Sequence, residues 1–563
     1  MPPLMTLCRM ILLSVCLLVC AVIEAPGAEP DGADSISASL LPTLSPDASP
    51  LLNGLPRVPR TPSLLADDTL TPLFQLEAVP EETWPLPRAQ KRYGRAALEV
   101  TAALGGAALH YWTSRAFAAD FDRAVNLETL HNKFSGEFIR FDDNPISTNS
   151  FPGHPLSGAY YYLVARNQHL SRLESFLTSA LASSVHEFFI EFPEVVSISD
   201  MITTPVAGST IGESLLTLGR YFRCGPRRQT TLYTVLAFII DPVHVADRWL
   251  WRERQDERGP ASLCAEQPTG QAFSLLAGMS VTEHDQTDDM AIGFLVGFSS
   301  KLYQLPQYGQ PGSFSGFVGE TSLTETGLEI LSTGRNLESL RFLTKTVWSA
   351  YYSQHLSRNL AGQRTGLSVF AGLASGFEHT QYDTGTFVDW IGAVHLLGPA
   401  LEVLLVQDEN YLRLGLEVFG DFAMIRAFAF EKYKQQHSTL GIKSVLRKEN
   451  YYYATGIHIH PKLEGQYGAY RLILEYRYGY YDSIEGSSRR PVSRDFNLID
   501  RQEEYSVTLG RRLDFLTGKL WQDAPLWIEA EWRRIARQGF IEEDDVRHAG
   551  GTSWLLLRFR MPL

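Results

Sequence analysis

The chain has 563 residues, which is enough for two or more domains, and its formal net charge is −13 with acidic and basic residues interspersed. No long basic run is present, so the sequence argues against nucleic acid as a partner. Hydrophobic residues make up 44% of the chain and the mean hydropathy is −0.10, which excludes a protein built mainly of membrane-spanning helices.

The amino-terminal residues have the pattern of an export signal. Arg9 supplies a positive charge, residues 10–23 are apolar but too few to span a bilayer, and small residues at 25–27 suit cleavage. We therefore expect a signal peptide over residues 1–27. Residues 28–90 are rich in Pro, Ser, Leu and Asp and predict a mostly disordered linker. Removal of the signal leaves Cys224 and Cys264, which either pair in an oxidising compartment or remain two thiols.

Residues 91–258 are predicted to form a helical domain. The segment LSRLESFLTSALASSVHEFFIEF, which starts at Leu170, carries apolar residues at helical spacing. A second stripe of small or acidic side chains repeats every four residues at Ser171, Ser175, Ser179, Ser183, Glu187 and Glu191. Small side chains let a second helix approach closely, and Gly208 and Gly212 in the next segment have matching spacing. The sequence therefore predicts closely packed helices.

The sequence pattern changes after a predicted linker at residues 259–289. Apolar and polar residues then alternate, for example at 412–418 and 472–480, and this period of two predicts half-buried strands. Such strands fit either a soluble sandwich or a membrane β-barrel. The export signal, candidate strands of roughly ten residues and aromatic residues near the strand ends favour the barrel. We predict an α+β fold in which the helical domain precedes an antiparallel outer-membrane-type β-barrel of about 8 to 12 strands at residues 290–563.

Two histidines in the predicted barrel stand two residues apart. His458 and His460 belong to the stretch GIHIHP, and a period of two places both side chains on the same side of a strand. Polar residues in a membrane barrel face its interior. We therefore expect both histidines to face the lumen.

A candidate site lies in the helical domain. His154 precedes Pro155, a residue suited to the first turn of a helix, so the imidazole is expected at a helix end. An imidazole and several carboxylates can bind a divalent metal or act as general acid and base. The same groups can equally form a packing network, with Asp200 capping the next helix. The candidate catalytic or metal-binding residues are His154, Glu187, Glu191 and Asp200.

The order of motifs resembles a bacterial family known only as a domain of unknown function. The resemblance covers residues 130–255 and rests on HPxxGxxYYxxAR from His154 to Arg166, Glu174-Ser175, HEFFIE, SxxD ending at Asp200, Thr204-Pro205, and GxxxGE ending at Glu213. Members of that family are exported proteins of the Gram-negative envelope. The resemblance implies no catalytic role, because the family has no established activity.

A fainter similarity connects the chain to the VanZ-like helical membrane proteins. It rests on His154, an acidic residue at Glu187 or Glu191, Asp200, and Gly208 with Gly212. The lysine-containing approach to the histidine in that group is missing here, since residues 151–153 are Phe-Pro-Gly. Because of this difference, the similarity does not support the same chemistry in this chain and in the VanZ-like proteins.

These observations predict an outer-membrane envelope protein of structural or transport type that contacts outer-membrane lipid. The helical domain is expected either beneath the barrel on the periplasmic side or partly inside the barrel. The alternative is a metal-assisted or acid/base hydrolase that acts on a lipid or another envelope component through the four candidate residues. A divalent metal is the cofactor that such a site would use. No P-loop, Rossmann fingerprint, zincin HExxH or nucleophile elbow is present.

Overall fold

The structure is a computed structural model. It describes residues 90–562 except for 114–125, 138, 142–144, 225–230, 252–269, 288–289, 306–307, 319–321, 334–335, 360–361, 443, 485–494 and 515–525. The predicted signal peptide, the predicted linker up to residue 89, and Cys264 lie outside the described residues. Cys224 is disulfide-bonded. Among the described helices, none combines the length and the apolar character that a membrane crossing requires.

The amino-terminal part is helical, as predicted. The described helices are α1 Tyr93–Thr113, α2 Leu127–Ser135, α3 Ile146–Asn149, α4 Gly153–Asn167, α5 Arg172–Val185, α6 Ile198–Cys224, α7 Thr231–Ile240 and α8 Pro242–Leu250. A π turn, His186–Ile190, continues α5, and two short strands, β1 Ile139–Arg140 and β2 Val196–Ser197, pair in parallel. A capping box starts α5, because the side chains of Ser171 and Glu174 each accept a hydrogen bond from the other's backbone N–H.

The carboxyl-terminal part is a set of long antiparallel strands. They are β3 Gly270–His284, β4 Met290–Gln304, β5 Gly312–Val318, β6 Ser322–Ser332, β7 Leu337–Arg358, β8 Arg364–Asp383, β9 Val388–Gln407, β10 Asn410–Arg426, β11 Tyr451–Tyr467, β12 Tyr470–Ser483, β13 Leu498–Arg512, β14 Trp527–Ile541 and β15 Val546–Pro562. Two short helices, α9 Phe430–Gln436 and α10 Ser444–Glu449, lie in the connection from β10 to β11.

Twelve of these strands close into an antiparallel β-barrel, which confirms the predicted fold class. The last strand, β15, pairs with the first, β3, and the pairing of β7 with β8 joins the remaining ends of the sheet. β5 is not one of the strands that form the closed ring. It pairs with residues 350–356 of β7, beyond the part of β7 that pairs with β6.

The barrel begins earlier than the sequence predicted. β3 starts at Gly270, so the predicted linker at 259–289 and the predicted barrel start at 290 are wrong. Small residues such as Ala277, Gly278 and Ser280 weaken the apolar and polar alternation of β3, which is why its pattern is hard to recognise. Apart from β5 and the 11-residue β6, the barrel strands are also longer than the expected ten or so residues, up to the 22 residues of β7.

The two faces of the barrel wall differ in chemistry. On β10, Leu412, Leu414 and Leu416 are about 40% or more exposed, whereas Arg413 and Glu417 point inward into ion pairs. Exposed apolar residues occupy the outward face of many strands: Met279, Val281, Ile292, Phe294, Val296, Leu367, Leu405, Leu472, Val507, Leu509, Trp532, Leu555, Leu557 and Phe559. We call this set the outer belt. The alternation in the sequence therefore arises from an apolar outside and a charged lumen.

The connection from β10 to β11 closes one end of the lumen. Phe430, Tyr433, Ile442 and Leu446 from this connection are buried against lumen-facing side chains. Those partners are Ile391, Ala393, Ala423, Ile425, Tyr452, Ala454, Tyr481, Leu498 and Ile541. Burial of large apolar and aromatic side chains excludes water from this end of the barrel.

The helical domain packs against the outward face of the wall. The hydroxyl groups of Thr210 on α6 and Thr344 on β7 lie 3.1 Å apart. The next residue along β7, Lys345, points into the lumen, so Thr344 points outward. These contacts confirm neither of the two predicted placements, beneath the barrel or partly inside it.

Other contacts repeat this arrangement. Asn149 Nδ2 donates to Tyr453 Oη at 2.7 Å, and the rings of Phe151 and Phe342 stack at 4.9 Å. The adjacent residues Tyr452 and Arg341 take part in lumen contacts, so Tyr453 and Phe342 face outward as well. The helical domain therefore covers a part of the outward face of the wall that contains no residue of the outer belt.

Candidate functional site

The motif residues of the helical domain form a buried polar network around Glu213. The Glu213 carboxylate on α6 accepts hydrogen bonds from Tyr162 Oη at 2.7 Å, Arg166 Nε at 3.0 Å and Arg172 Nε at 3.1 Å. Arg172 also donates from Nη1 to the carbonyl oxygen of Val347 on β7, at 3.2 Å. One carboxylate therefore joins α4, α5 and α6, and the network reaches the barrel wall.

Charge compensation keeps Glu213 ionised inside the protein. Burial by itself raises the pKa of the Glu213 carboxyl, but the guanidinium groups of Arg166 and Arg172 outweigh it and lower that pKa well below its usual range. Glu213 is 1% exposed, so each charge depends on its partners rather than on water. The sequence motif identified Glu213 by its position but did not predict these partners.

Small residues bring the helices of the domain into close contact, as the sequence predicted. A Cβ atom added to Gly208 on α6 would lie 2.4 Å from the carbonyl carbon of Gly158 on α4. Ser179 Oγ donates to the Gly158 carbonyl oxygen at 3.1 Å, and Ser183 Oγ donates to that of Asp200 at 3.2 Å. The serine stripe of α5 thus bonds the backbones of both neighbouring helices.

The four candidate residues divide into separate contacts. His154 Nε2 lies 3.2 Å from Asp200 Oδ1, whereas Glu191 Oε1 lies 3.2 Å from His186 Nε2. The Glu187 carboxylate accepts the backbone N–H of Ser197 at 2.8 Å. The structure thus brings His154 to Asp200, as the hypothesis required, but engages Glu187 elsewhere.

The properties of Asp200 fit both the interpretation of this cluster as a catalytic site and its interpretation as a packing network. Burial, and then the negative charge of Glu191, raise the pKa of Asp200 to about 7. Ser197 Oγ accepts the Asp200 backbone N–H at 3.3 Å, so Ser197 caps the start of α6, whereas the Ser197 backbone N–H, which the predicted Asp200 cap would bind, donates to Glu187. A carboxyl that titrates near neutral pH beside an imidazole suits proton transfer, and a 2% exposed carboxyl that accepts a hydrogen bond from Ser199 Oγ suits packing. Catalysis at these residues stays a prediction.

The group of side chains best placed to bind a metal is not the one that the sequence predicted. Across the part of the chain that the structure describes, one group of three or more His, Cys, Asp or Glu residues has its ligand atoms all within 4.8 Å of one another. This group is Glu378, His395 and His458, and it lies in the barrel lumen rather than in the helical domain. His458 and His460 both point inward, as predicted, and both are buried.

Ion pairs connect opposite walls of the lumen. Arg341 Nη1 on β7 lies 2.6 Å from Glu504 Oε1 on β13, which is six strands away in either direction around the ring. Lys301 on β4 pairs with Glu402 on β9 at 2.5 Å. These contacts surround a cavity of about 570 Å³ with both acidic and basic side chains. The lumen is therefore crossed by charged side chains as well as closed at one end.

Comparison with known proteins identifies one family and several solved barrels. Residues 138–243 match the family model of a domain of unknown function, DUF3943. This agrees with the resemblance that the motifs indicated, whereas the similarity to VanZ-like proteins is not shown. No curated protein matches the chain.

Several solved structures are similar to part of this chain. The β domain of the Bordetella autotransporter BrkA is 9% identical, with 52% of this chain and 99% of that chain covered and a TM-score of 0.18. The translocator domain of the autotransporter NalP from Neisseria meningitidis is 10% identical, covering 57% and 97%, with a TM-score of 0.17. The outer-membrane protein OmpT of Vibrio cholerae is 10% identical, covering 52% and 99%, with a TM-score of 0.17. Because these scores are low, the barrel assignment rests on the closed strand pairing of the chain itself.

Proposed function

We propose that the protein is an outer-membrane β-barrel with a closed lumen, which anchors the helical domain in the cell envelope and does not act as an open pore. Export would depend on the predicted signal peptide at residues 1–27. The outer belt supports a membrane location, because exposed Leu, Val, Ile and Phe side chains on outward faces are favourable in lipid and costly in water. Outer-membrane lipid is therefore the proposed partner of the belt.

The two shortest connections and the longest one support one orientation, whereas the long connections at 305–321 and 513–526 lie at the same end as the short turns and count against it. The short turns at residues 408–409 and 468–469 lie at the same end of the barrel as Pro562, whereas the helical connection from β10 to β11 lies at the other end. Bacterial barrels have short periplasmic turns and longer extracellular loops. The closed end would then face outward from the cell, and the end with the chain terminus would face the periplasm.

The observation that carries the proposal is the crossing of the lumen by ion pairs. Arg341 and Glu504 meet from opposite walls, and Arg537 Nε contacts Asp389 Oδ2 across the barrel at 3.2 Å with both side chains fully buried. An aqueous channel requires a continuous wet path, which porins of 16 to 18 strands provide. Twelve strands with bridged walls and an apolar closure leave no such path among the described residues.

The helical domain is proposed to lie beside the barrel. Its contacts fall on outward-facing residues of the wall, and several of its own apolar side chains are exposed, among them Leu156, Leu181, Phe238 and Ile239. The contacts of the candidate residues suit proton transfer and packing alike, so they do not favour the hydrolytic alternative over a structural role. The structural role is therefore the function that the geometry favours.

Reconstitution into planar bilayers tests the absence of a pore. We expect the folded protein, purified from outer-membrane fractions, to produce no stable conductance steps at neutral pH, because charged side chains and the closing connection block the lumen. Heat-modifiable migration on a gel would verify that the barrel is folded, and a general porin in the same bilayers would serve as the positive control. Uniform conductance steps from folded protein would contradict a closed lumen, and recovery in the soluble fraction would contradict the membrane location.

A further inference from the structure

We propose that Glu378, His395 and His458 form a binding site for a divalent transition metal of the zinc class inside the barrel. His395 Nε2 lies 3.9 Å from Glu378 Oε2, and the imidazole rings of His395 and His458 have centroids 4.7 Å apart. The three ligand atoms lie within 4.8 Å of one another, and all three residues are buried. The site goes beyond the proposed function, because a closed barrel does not require it.

The ligand set fits the chemistry of such a metal. Two imidazoles and one carboxylate are ligands that zinc and related divalent ions accept. Bonds of about 2.0–2.1 Å in tetrahedral geometry place ligand atoms about 3.3 Å apart. The His395 Nε2 to Glu378 Oε2 distance of 3.9 Å exceeds this value by an amount that side-chain rotation can close. The three ligands lie on different strands, β8, β9 and β11, so each side chain can rotate independently.

Asp421 orients one of the imidazoles. His395 Nδ1 lies 2.7 Å from Asp421 Oδ1, and Asp421 is 3% exposed. A carboxylate bound to Nδ1 holds that nitrogen as the donor and leaves Nε2 as the acceptor that a metal needs. Asp421 is therefore a positioning residue of the proposed site rather than a ligand.

A candidate fourth ligand, Gln502, lines the same cavity as two of the three ligands. Gln502 Oε1 is buried and has no hydrogen-bond partner among the described residues. Gln502 lines the same small internal cavity as Glu378 and His458. A buried amide oxygen without a partner is costly, so a bound ion or a metal-bound water beside it would remove that cost.

The arginines near Glu378 do not occupy all of its acceptor capacity. Glu378 Oε1 accepts from Arg341 Nη2, and Oε2 accepts from Arg477 Nη1, both at 3.0 Å. Oε1 also accepts from Thr380 Oγ1 at 3.0 Å, whereas the second acceptor position of Oε2 can bind the metal. Both arginines also contact a second carboxylate, Glu504 at 2.6 Å and Glu475 at 3.6 Å, which balances their charge. The competing arrangement is a protonated His395 held between Asp421 and Glu378.

Zinc titration of the folded full-length protein tests the site. The protein, without an affinity tag and stripped by a chelator, would be titrated with zinc chloride and analysed by elemental mass spectrometry after dialysis. We expect about one zinc per chain in the wild type, loss of that zinc in His395→Gln and in His458→Gln, and retention in the control His460→Gln. Asp421→Asn is expected to keep the metal with roughly 10- to 100-fold weaker affinity.

A second readout separates a specific site from surface binding. Cobalt(II) in place of zinc is expected to give visible absorption bands in the wild type that are absent in His395→Gln, His458→Gln and the double variant. Two results would overturn the proposal: folded wild type without zinc above the dialysis background, or equal zinc in the wild type and the folded double variant. The second result would mean an adventitious ion only, and the first would favour the protonated His395 arrangement.

Discussion

Replacement of Glu213 by alanine is expected to lower the free energy of unfolding of the protein by about 3–5 kcal/mol, because it leaves two buried arginines without their carboxylate. Arg166 and Arg172 both donate to Glu213, and their side chains are 12% and 6% exposed. Water therefore cannot replace the lost partner without opening the contact between α4, α5 and α6. Urea unfolding in detergent micelles, followed by tryptophan fluorescence, measures the change.

The matched control for this variant is Glu128→Ala in the first turn of α2. Glu128 is exposed, and surface substitutions of this kind usually change stability by about 0.5 kcal/mol or less. Protease sensitivity of residues 153–224 should increase in Glu213→Ala and stay unchanged in the control. Equal effects of the two substitutions would mean that the network around Glu213 does not hold the helices together.

Replacement of Gly208 by alanine is expected to destabilise the protein by about 1–3 kcal/mol, although alanine favours helix formation over glycine by about 1 kcal/mol. The added methyl group would overlap the backbone of α4 at Gly158, so α4 and α6 must separate. The same unfolding experiment detects this loss.

The control variant Gly106→Ala is expected to change the stability in the opposite direction from Gly208→Ala. Gly106 lies in α1, and apart from its chain neighbours and its own helix backbone, no atom of the described residues lies within 4 Å of a Cβ atom added there. This variant is expected to gain about 0.5–1 kcal/mol from helix propensity alone. A gain at both positions would contradict the close packing of α4 on α6, whereas a loss at Gly208 and a gain at Gly106 would support it.

The alternation of residue types predicted the strands, and the export signal, the strand lengths and the aromatic residues near the strand ends then favoured the barrel over a sandwich. Leu412, Leu414 and Leu416 face outward and Arg413 and Glu417 face inward, which is the arrangement that a lipid-facing wall requires. The same rule failed for β3, where small residues at 277, 278 and 280 reduce the contrast between the faces. Periodicity thus predicts a strand only where the two faces carry chemically different side chains.

The lumen site was only partly accessible from the sequence. His458 was predicted to face inward because of its spacing from His460, whereas His395 and Glu378 carry no such local signal. Their meeting depends on strand register and on a bulge in β9 between His395 and Gly398, which changes the face that the residues on either side of it present. Cross-wall pairs such as Arg341 with Glu504 join residues 163 positions apart, and no spacing rule relates them.

The candidate residues in the helical domain illustrate the opposite case. The sequence brought His154, Glu187, Glu191 and Asp200 together as one set, but folding divides them among separate contacts. The more connected residue is Glu213, which the motif marked without suggesting its partners. Helix spacing predicts which side chains share a face, but the partner on another helix depends on tertiary packing.

Disulfide cross-linking in isolated outer membranes is the most direct test of the central claim, that a closed outer-membrane barrel carries the helical domain on its outer wall. Thr210→Cys with Thr344→Cys places two thiols where the present hydroxyl groups lie 3.1 Å apart, and Thr210→Cys with Lys345→Cys places the second thiol on the lumen side. We predict that mild oxidation cross-links the first pair and leaves the second pair open, as detected by mass spectrometry of the linked peptides. Cross-linking of the second pair but not the first would contradict the claim and put α6 inside the barrel.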